Sequence, residues 1–168
     1  MTSRTTVLAM GRLRKTFVAK VGKTKVKGKA LIDTGSDKTT ISVADACRLG
    51  LDKQTAEPVV GVGVRGGRVR GYFFEGVEVR IGKRKARLTV VATDDTNPTV
   101  GHDFLQRSGA KLDYEQPHRE VFSGVRNVKS AKKIDPKEGG LQFRRVFGKE
   151  AAAVRRAISC PTGRRKKR

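Results

Sequence analysis

The stretch "KALIDTGSDKTTIS", Lys29 to Ser42, carries Ala30, Leu31 and Ile32 straight into an acid, Asp33, and follows it with Thr34, Gly35 and Ser36. An unpaired carboxylate at the end of an apolar strand costs several kcal/mol, so its neighbours satisfy it or chemistry uses it. Two readings stand side by side. Asp, Gly and Ser are turn formers, and Asp33 can open an Asx-turn that does no more than end a strand. Alternatively, the loop holds the carboxylate out as a reacting group. Around it, "TTIS" resumes an extended pattern, and a distant element, "PTVGHDFLQRSGAKLDY" from Pro98 to Tyr114, runs apolar residues into Gly101, Asp103 and Phe104.

Outward from that stretch, Thr16 to Phe122 alternates apolar and polar residues between Gly-bearing turns, which predicts a largely antiparallel β-domain. "TFVAKV" and "VKGKALI" flank "GKTK" and predict a hairpin from Phe17 to Ile32. Val77, Val79 and Ile81, the turn "GKRK", and Ala86, Leu88 and Val90 predict a second. Two short helices interrupt the strands. In "SVADACRLG", Ser42 caps the first turn, Asp45 completes a capping box and Gly50 supplies a left-handed stop. In "GHDFLQRSG", Gly101 and Gly109 bracket about two turns, and Asp103 is read as a cap rather than a substrate contact.

The chain has 168 residues, enough for one domain with its own core and a tail. Its formal net charge is +22, and +12 of that lies in the last 46 residues. The domain reading is therefore a basic extension at 1–15, the β-domain at 16–122 and a basic tail at 123–168, partly helical through "KEAAAVRRAIS" and disordered at "PTGRRKKR". Such charge favours polyanions, nucleic acid before acidic membrane. Cys47 and Cys160 are far apart in sequence and form no disulfide framework, which points to a reducing compartment, the cytoplasm. The apolar patch "VLAM" from Val7 is too short for a signal peptide, and no segment approaches the roughly 18 apolar residues of a membrane helix.

The apolar strand into Asp-Thr-Gly-Ser, the glycine-rich hairpin "VVGVGVRGGRVRGYF" about 30 residues later, and the segment with apolar residues before Gly-x-Asp-Phe-Leu together resemble the retroviral-type, retropepsin-like aspartic proteases. The similarity spans roughly 16–122. It implies an all-β subunit with a small closed barrel, with Asp33 as catalytic carboxylate, Thr34 bonded across a homodimer, and Gly35 admitting the substrate backbone. No metal or cofactor is implied. Hydrolysis by water needs a second acid, and one copy of the motif per chain makes a two-fold homodimer the way to supply it. If its hydroxyl donates to the Asp33 carboxylate, Ser36 favours the ionised form.

Asp37 is read either as a ligand of extended substrate backbone or as the partner of a nearby cation. In several relatives that cation is an arginine after the glycine of the second motif, whereas this chain has His102. The hairpin Val59–Phe73 is implied to be a flap closing on a peptide, with Val62, Gly63 and Val64 at its tip against substrate. Leu31 and Val100 are further candidates for subsite lining. Gly61, Gly63 and Gly66 formally match a dinucleotide fingerprint, but no helix or βαβ unit follows, which excludes that reading. The competing function is a nucleic-acid binder that keeps this fold as a dimerisation scaffold and uses the basic tail. With aromatic residues at 5% and no tryptophan, such binding rests on phosphate contacts.

Overall fold

The computed structural model describes residues 14–62, 67–94, 98–110 and 142–160. Strand β1 (Arg14–Val21) turns through Gly22 into β2 (Thr24–Ile32), as the alternation predicts, and the two pair antiparallel with Phe17 opposite Gly28. Phe17, Ala19, Val26, Ala30 and Ile32 face inward, while Lys20, Lys25, Lys27 and Lys29 face out. After β2 come β3 (Thr40–Ser42) and α1 (Val43–Arg48). The Asp45 amide donates to Ser42 Oγ at 3.1 Å, so the serine does cap the helix, and Gly50 follows with φ +99°.

Strand β4 (Glu57–Val62) pairs antiparallel with β5 (Arg68–Ile81), the two arms of the glycine-rich stretch, and β5 pairs with β6 (Arg84–Thr93), which forms the second hairpin predicted from alternation. A register shift between Phe74 and Val77 bends the long β5. It therefore serves both the hairpin with β4 and the wall with β1. A two-residue strand β7 (Thr99–Val100) leads into α2 (His102–Ser108), which ends on the left-handed Gly109. The pairings run β1, β2, β7, β3, β6, β5 and return to β1. Two of them are parallel, β2 with β7 and β3 with β6, departures from the antiparallel pattern that the site requires.

Part of the basic tail is built into the fold. Strand β8 (Gln142–Arg145) pairs antiparallel with the outer edge of β4, and α3 (Gly148–Ala157) lies next to β4. Val146, Val154 and Ile158 are at most 3% exposed and belong to the same core as Phe17 and Tyr72. Burial of side chains of this size stabilises by about 1.5–3 kcal/mol each. Glu150 bridges Arg68 at 3.1 Å and Arg144 at 2.9 Å, and Arg145 meets Glu57 at 2.8 Å. The boundary at 122/123 and the segment "PTGRRKKR" lie outside the described residues.

The reading of the cysteines is corrected. Cys47 in α1 and Cys160 beyond α3 are disulfide-bonded, with Cα atoms 5.7 Å apart. Distance in sequence concealed proximity in space: α3 folds back and carries Cys160 to α1. The inference of a reducing compartment loses its premise. Among the described residues no helix is long and apolar enough to cross a membrane.

A bond closing a loop of 113 residues restricts the unfolded chain, an effect of about 2–4 kcal/mol. Urea unfolding of the oxidised protein is expected to show that much more stability than the same protein in reductant. Coincident curves contradict a structural role for the bond.

Candidate functional site

Asp33 follows directly on β2, and the backbone around it is fastened from both sides. Leu31 and Ile32 pair parallel with Thr99 and Val100 of β7, and the Asp33 amide donates to the Val100 carbonyl at 3.0 Å. The chain then leaves the sheet in a tight loop. Gly35 N donates to Asp33 Oδ1 at 2.9 Å, and Ser36 N to the Asp33 carbonyl at 3.2 Å. That is the Asx-turn of the simpler sequence reading. It occupies one carboxylate oxygen and aims the group, so the turn and the chemical reading coexist in one geometry.

The loop rests on the second motif. His102 N donates to the Ser36 carbonyl at 2.8 Å. A Cβ on Gly101 would lie 2.6 Å from the Lys38 carbonyl carbon and oxygen and 2.8 Å from the Ser36 oxygen. All three are backbone atoms, so only glycine permits this approach. The sequence pair Asp-Thr-Gly-Ser and Val-Gly-His-Asp is thus one physical unit, with the second half serving as the seat of the first.

Thr39 locks the seat and was not singled out in the sequence. It is 1% exposed; its Oγ1 donates to Asp103 Oδ1 at 2.7 Å and accepts from Gly101 N at 3.2 Å. Its carbonyl accepts from Val91 N at 2.9 Å, tying the loop to β6 as well. The available signal was a β-branched hydroxyl residue at an inward position of "TTIS", where an apolar residue is the default. Asp103 is accordingly not the helix cap expected, since Gly101 holds that position. Its Oδ1 also accepts from Phe104 N at 2.8 Å. Its Oδ2 is buried without a hydrogen-bond partner among the described residues.

Thr34 and Gly35 are exposed at the loop tip, and Asp33 is half-buried. Ser36 is fully buried, and its hydroxyl donates to the Lys38 carbonyl at 2.8 Å. The expected hydroxyl bond to the Asp33 carboxylate is therefore replaced by one that stiffens the loop. Asp37 is exposed, yet the protein packed around its carboxyl raises its pKa above the ordinary 3.8, with Asp103 adding to the rise and Lys38 opposing it. Among the described residues no ion pair to Asp37 forms in place of the arginine of relatives.

Val62 is 43% exposed at the end of β4, on the hairpin expected to be a flap, while Gly63 and Val64 lie outside the described residues. Leu31 is half-buried, whereas Val100 is 1% exposed and belongs to the core, so it does not line a subsite. Among the described residues no group of three or more His, Cys, Asp or Glu is placed to hold a metal ion.

Comparison with known families matches residues 18–105 to a family model described as aspartyl protease. The match covers just over half of the chain, from β1 into α2, and includes both halves of the loop and its seat. No curated protein matches the chain.

Two outcomes test this geometry. Replacing Gly101 by Ala forces backbone apart and is expected to cost about 1–3 kcal/mol of stability in denaturant; an unchanged midpoint contradicts the close seat. For Asp37, the raised folded value means that protonation favours the folded state. Its contribution is complete below the unfolded value and is lost as pH rises through the folded one. Asp37→Asn is therefore expected to melt higher than the parent at neutral pH, with the gap closing in acid. A gap that widens in acid contradicts this.

Proposed function

Since the chain belongs to the aspartyl protease family, we propose that it is a homodimeric, retropepsin-like endopeptidase in which each subunit contributes Asp33 to a shared catalytic pair. The circuit of β1, β2, β7, β3, β6 and β5 is, in this reading, the small closed barrel of one subunit. The observation that carries the proposal is the loop itself: a carboxylate aimed by its own Asx-turn, beside an exposed Thr34–Gly35 tip, on a seat that excludes any residue but glycine at position 101.

Amide hydrolysis without a metal requires one carboxylate to take a proton from water while a second acid protonates the carbonyl oxygen. Two carboxyls about 3 Å apart cannot both ionise, so they hold one proton between them and perform both tasks. Two-fold symmetry places identical Asp33 groups on the axis. Thr34, exposed at the tip, bonds across that axis, and Gly35 lets the substrate backbone approach. Ser36 supports them from beneath. Asp37 and the flap residues Val62, Gly63 and Val64 meet an extended peptide, which adds as a strand between flap and loop. Closing the flap excludes water and so strengthens every polar contact within.

Subunits of this charge repel one another, and salt screens that repulsion, so association increases with ionic strength. Delivery of the protease to nucleic acid by the basic tail is compatible with catalysis, and its support is the +12 carried after residue 122.

Asp33→Asn keeps the shape of the loop and removes the acid. Cleavage of an unstructured peptide library is expected to fall by about 10²–10⁴-fold or more, with the melting curve held close to the parent's. A variant that cuts as fast as the parent overturns the proposal.

A further inference from the structure

Four neighbouring strands, β2, β1, β5 and β6, present one outward face, and their register sorts its side chains into rows. Lys27 stands opposite Val18, Val18 opposite Arg80, and Arg80 opposite Lys85. Two residues along, Lys25 stands opposite Lys20, Lys20 opposite Glu78, and Glu78 opposite Arg87. All six cations are exposed, and Glu78 is the one acid in the two rows. Lys29, opposite Thr16, extends the face along β2. The opposite side of these strands holds Phe17, Ala19, Val26, Val79, Ala86 and Leu88 in the core, so the sheet is anchored and the rows are held rigidly.

Like charges directly opposite on paired strands destabilise a sheet, yet Lys20 faces Lys25 and Arg80 faces Lys85. The ion pairs formed among the described residues lie elsewhere, at Asp45, Glu57, Asp94 and Glu150. A costly arrangement with Glu78 alone to offset six cations is expected where an external anion completes it. Neighbouring strands lie about 4.8 Å apart, so Lys20 and Lys25, and Arg80 and Lys85, sit one strand spacing apart, and Lys27 and Arg80, on either side of Val18, sit two; along a strand alternate residues repeat at about 7 Å. A lattice of point charges at such spacings suits a linear polyanion whose charges recur regularly.

We infer that this face of the folded domain, distinct from the basic tail, binds the phosphodiester backbone of nucleic acid without reading sequence. Neither row contains an aromatic side chain, so bases find no stacking platform and phosphate contact supplies the affinity. A membrane surface is the poorer partner, because interfacial binding also needs apolar side chains to insert. Among the described residues the large exposed apolar side chains, Val62 and Phe147, belong to β4 and the start of α3.

The test uses the full chain and three probes: a short labelled DNA duplex, a short labelled RNA strand of mixed sequence, and vesicles rich in anionic lipid. The variant Lys27→Gln/Arg80→Gln/Lys85→Gln neutralises one row, and Arg48→Gln/Lys149→Gln/Arg156→Gln removes the same charge from exposed positions elsewhere. Relieved of like-charge repulsion, the row variant is expected to melt no lower than the parent. If it does melt lower, Lys20→Gln/Lys25→Gln/Arg87→Gln replaces it. The row variant is expected to lose at least about tenfold in nucleic-acid affinity, and its salt slope to fall by about two to three, while the control changes little. Equal losses in row variant and control overturn the inference, as does undiminished binding by the row variant. So does tighter row-dependent binding to vesicles than to either nucleic acid. Peptide cleavage is not part of the readout, so the result stands apart from the proteolytic proposal.

Discussion

The site depends on one close approach of backbone to backbone, where Gly101 lies under the loop that follows Asp33. That approach brings His102 N onto the Ser36 carbonyl and Gly101 N onto Thr39 Oγ1. Together with the Asp33 amide on Val100, these bonds leave the loop no freedom to withdraw its carboxylate into the fold. The parallel pairing of β2 with β7 puts the two motifs side by side, although 68 positions of chain separate Leu31 from its register partner Thr99. Buried main-chain groups must be paired, and here the partners of the reactive loop are main-chain groups of its seat.

Much of this was legible because its physics is local. Alternation marked β1, β2, β5 and β6, and Ser42 and Gly109 marked helix ends through short-range hydrogen bonding and positive φ. The two motifs were legible as a pair by resemblance, but the reason for the pairing was not. Nothing local says that Gly101 is needed by Lys38, or that Thr39 reaches Asp103; both are facts of distance in space. The same blindness misread the cysteines, since only the return of α3 to the core brings Cys160 to Cys47. Ser36 failed for another reason: a hydroxyl three residues after the Asp33 carboxylate donates instead to the Lys38 carbonyl, two residues further on.

The C-terminal segment changes how the hairpin of β4 and β5 is to be understood. A hairpin open on both sides has only its own two strands to hold it, whereas here β8 covers the outer edge of β4 and α3 packs at its base with Val154 and Ile158 buried. The arm of the hairpin is thereby paired on its outer side as far as Val62, and its root is part of the core. Positive charge follows the same division: cations such as Arg144 and Arg145 are consumed by Glu150 and Glu57, while those on the outer face of β2, β1, β5 and β6 are left for solvent or a partner.

The central claim is that each active site contains one Asp33 from each of two chains. Mixing native subunits with Asp33→Asn subunits at constant total concentration, under conditions that favour association, tests it most directly. If the pair is shared, mixed dimers are inactive and peptide cleavage falls as the square of the native fraction. A linear fall means that each chain cuts on its own, and it contradicts the account.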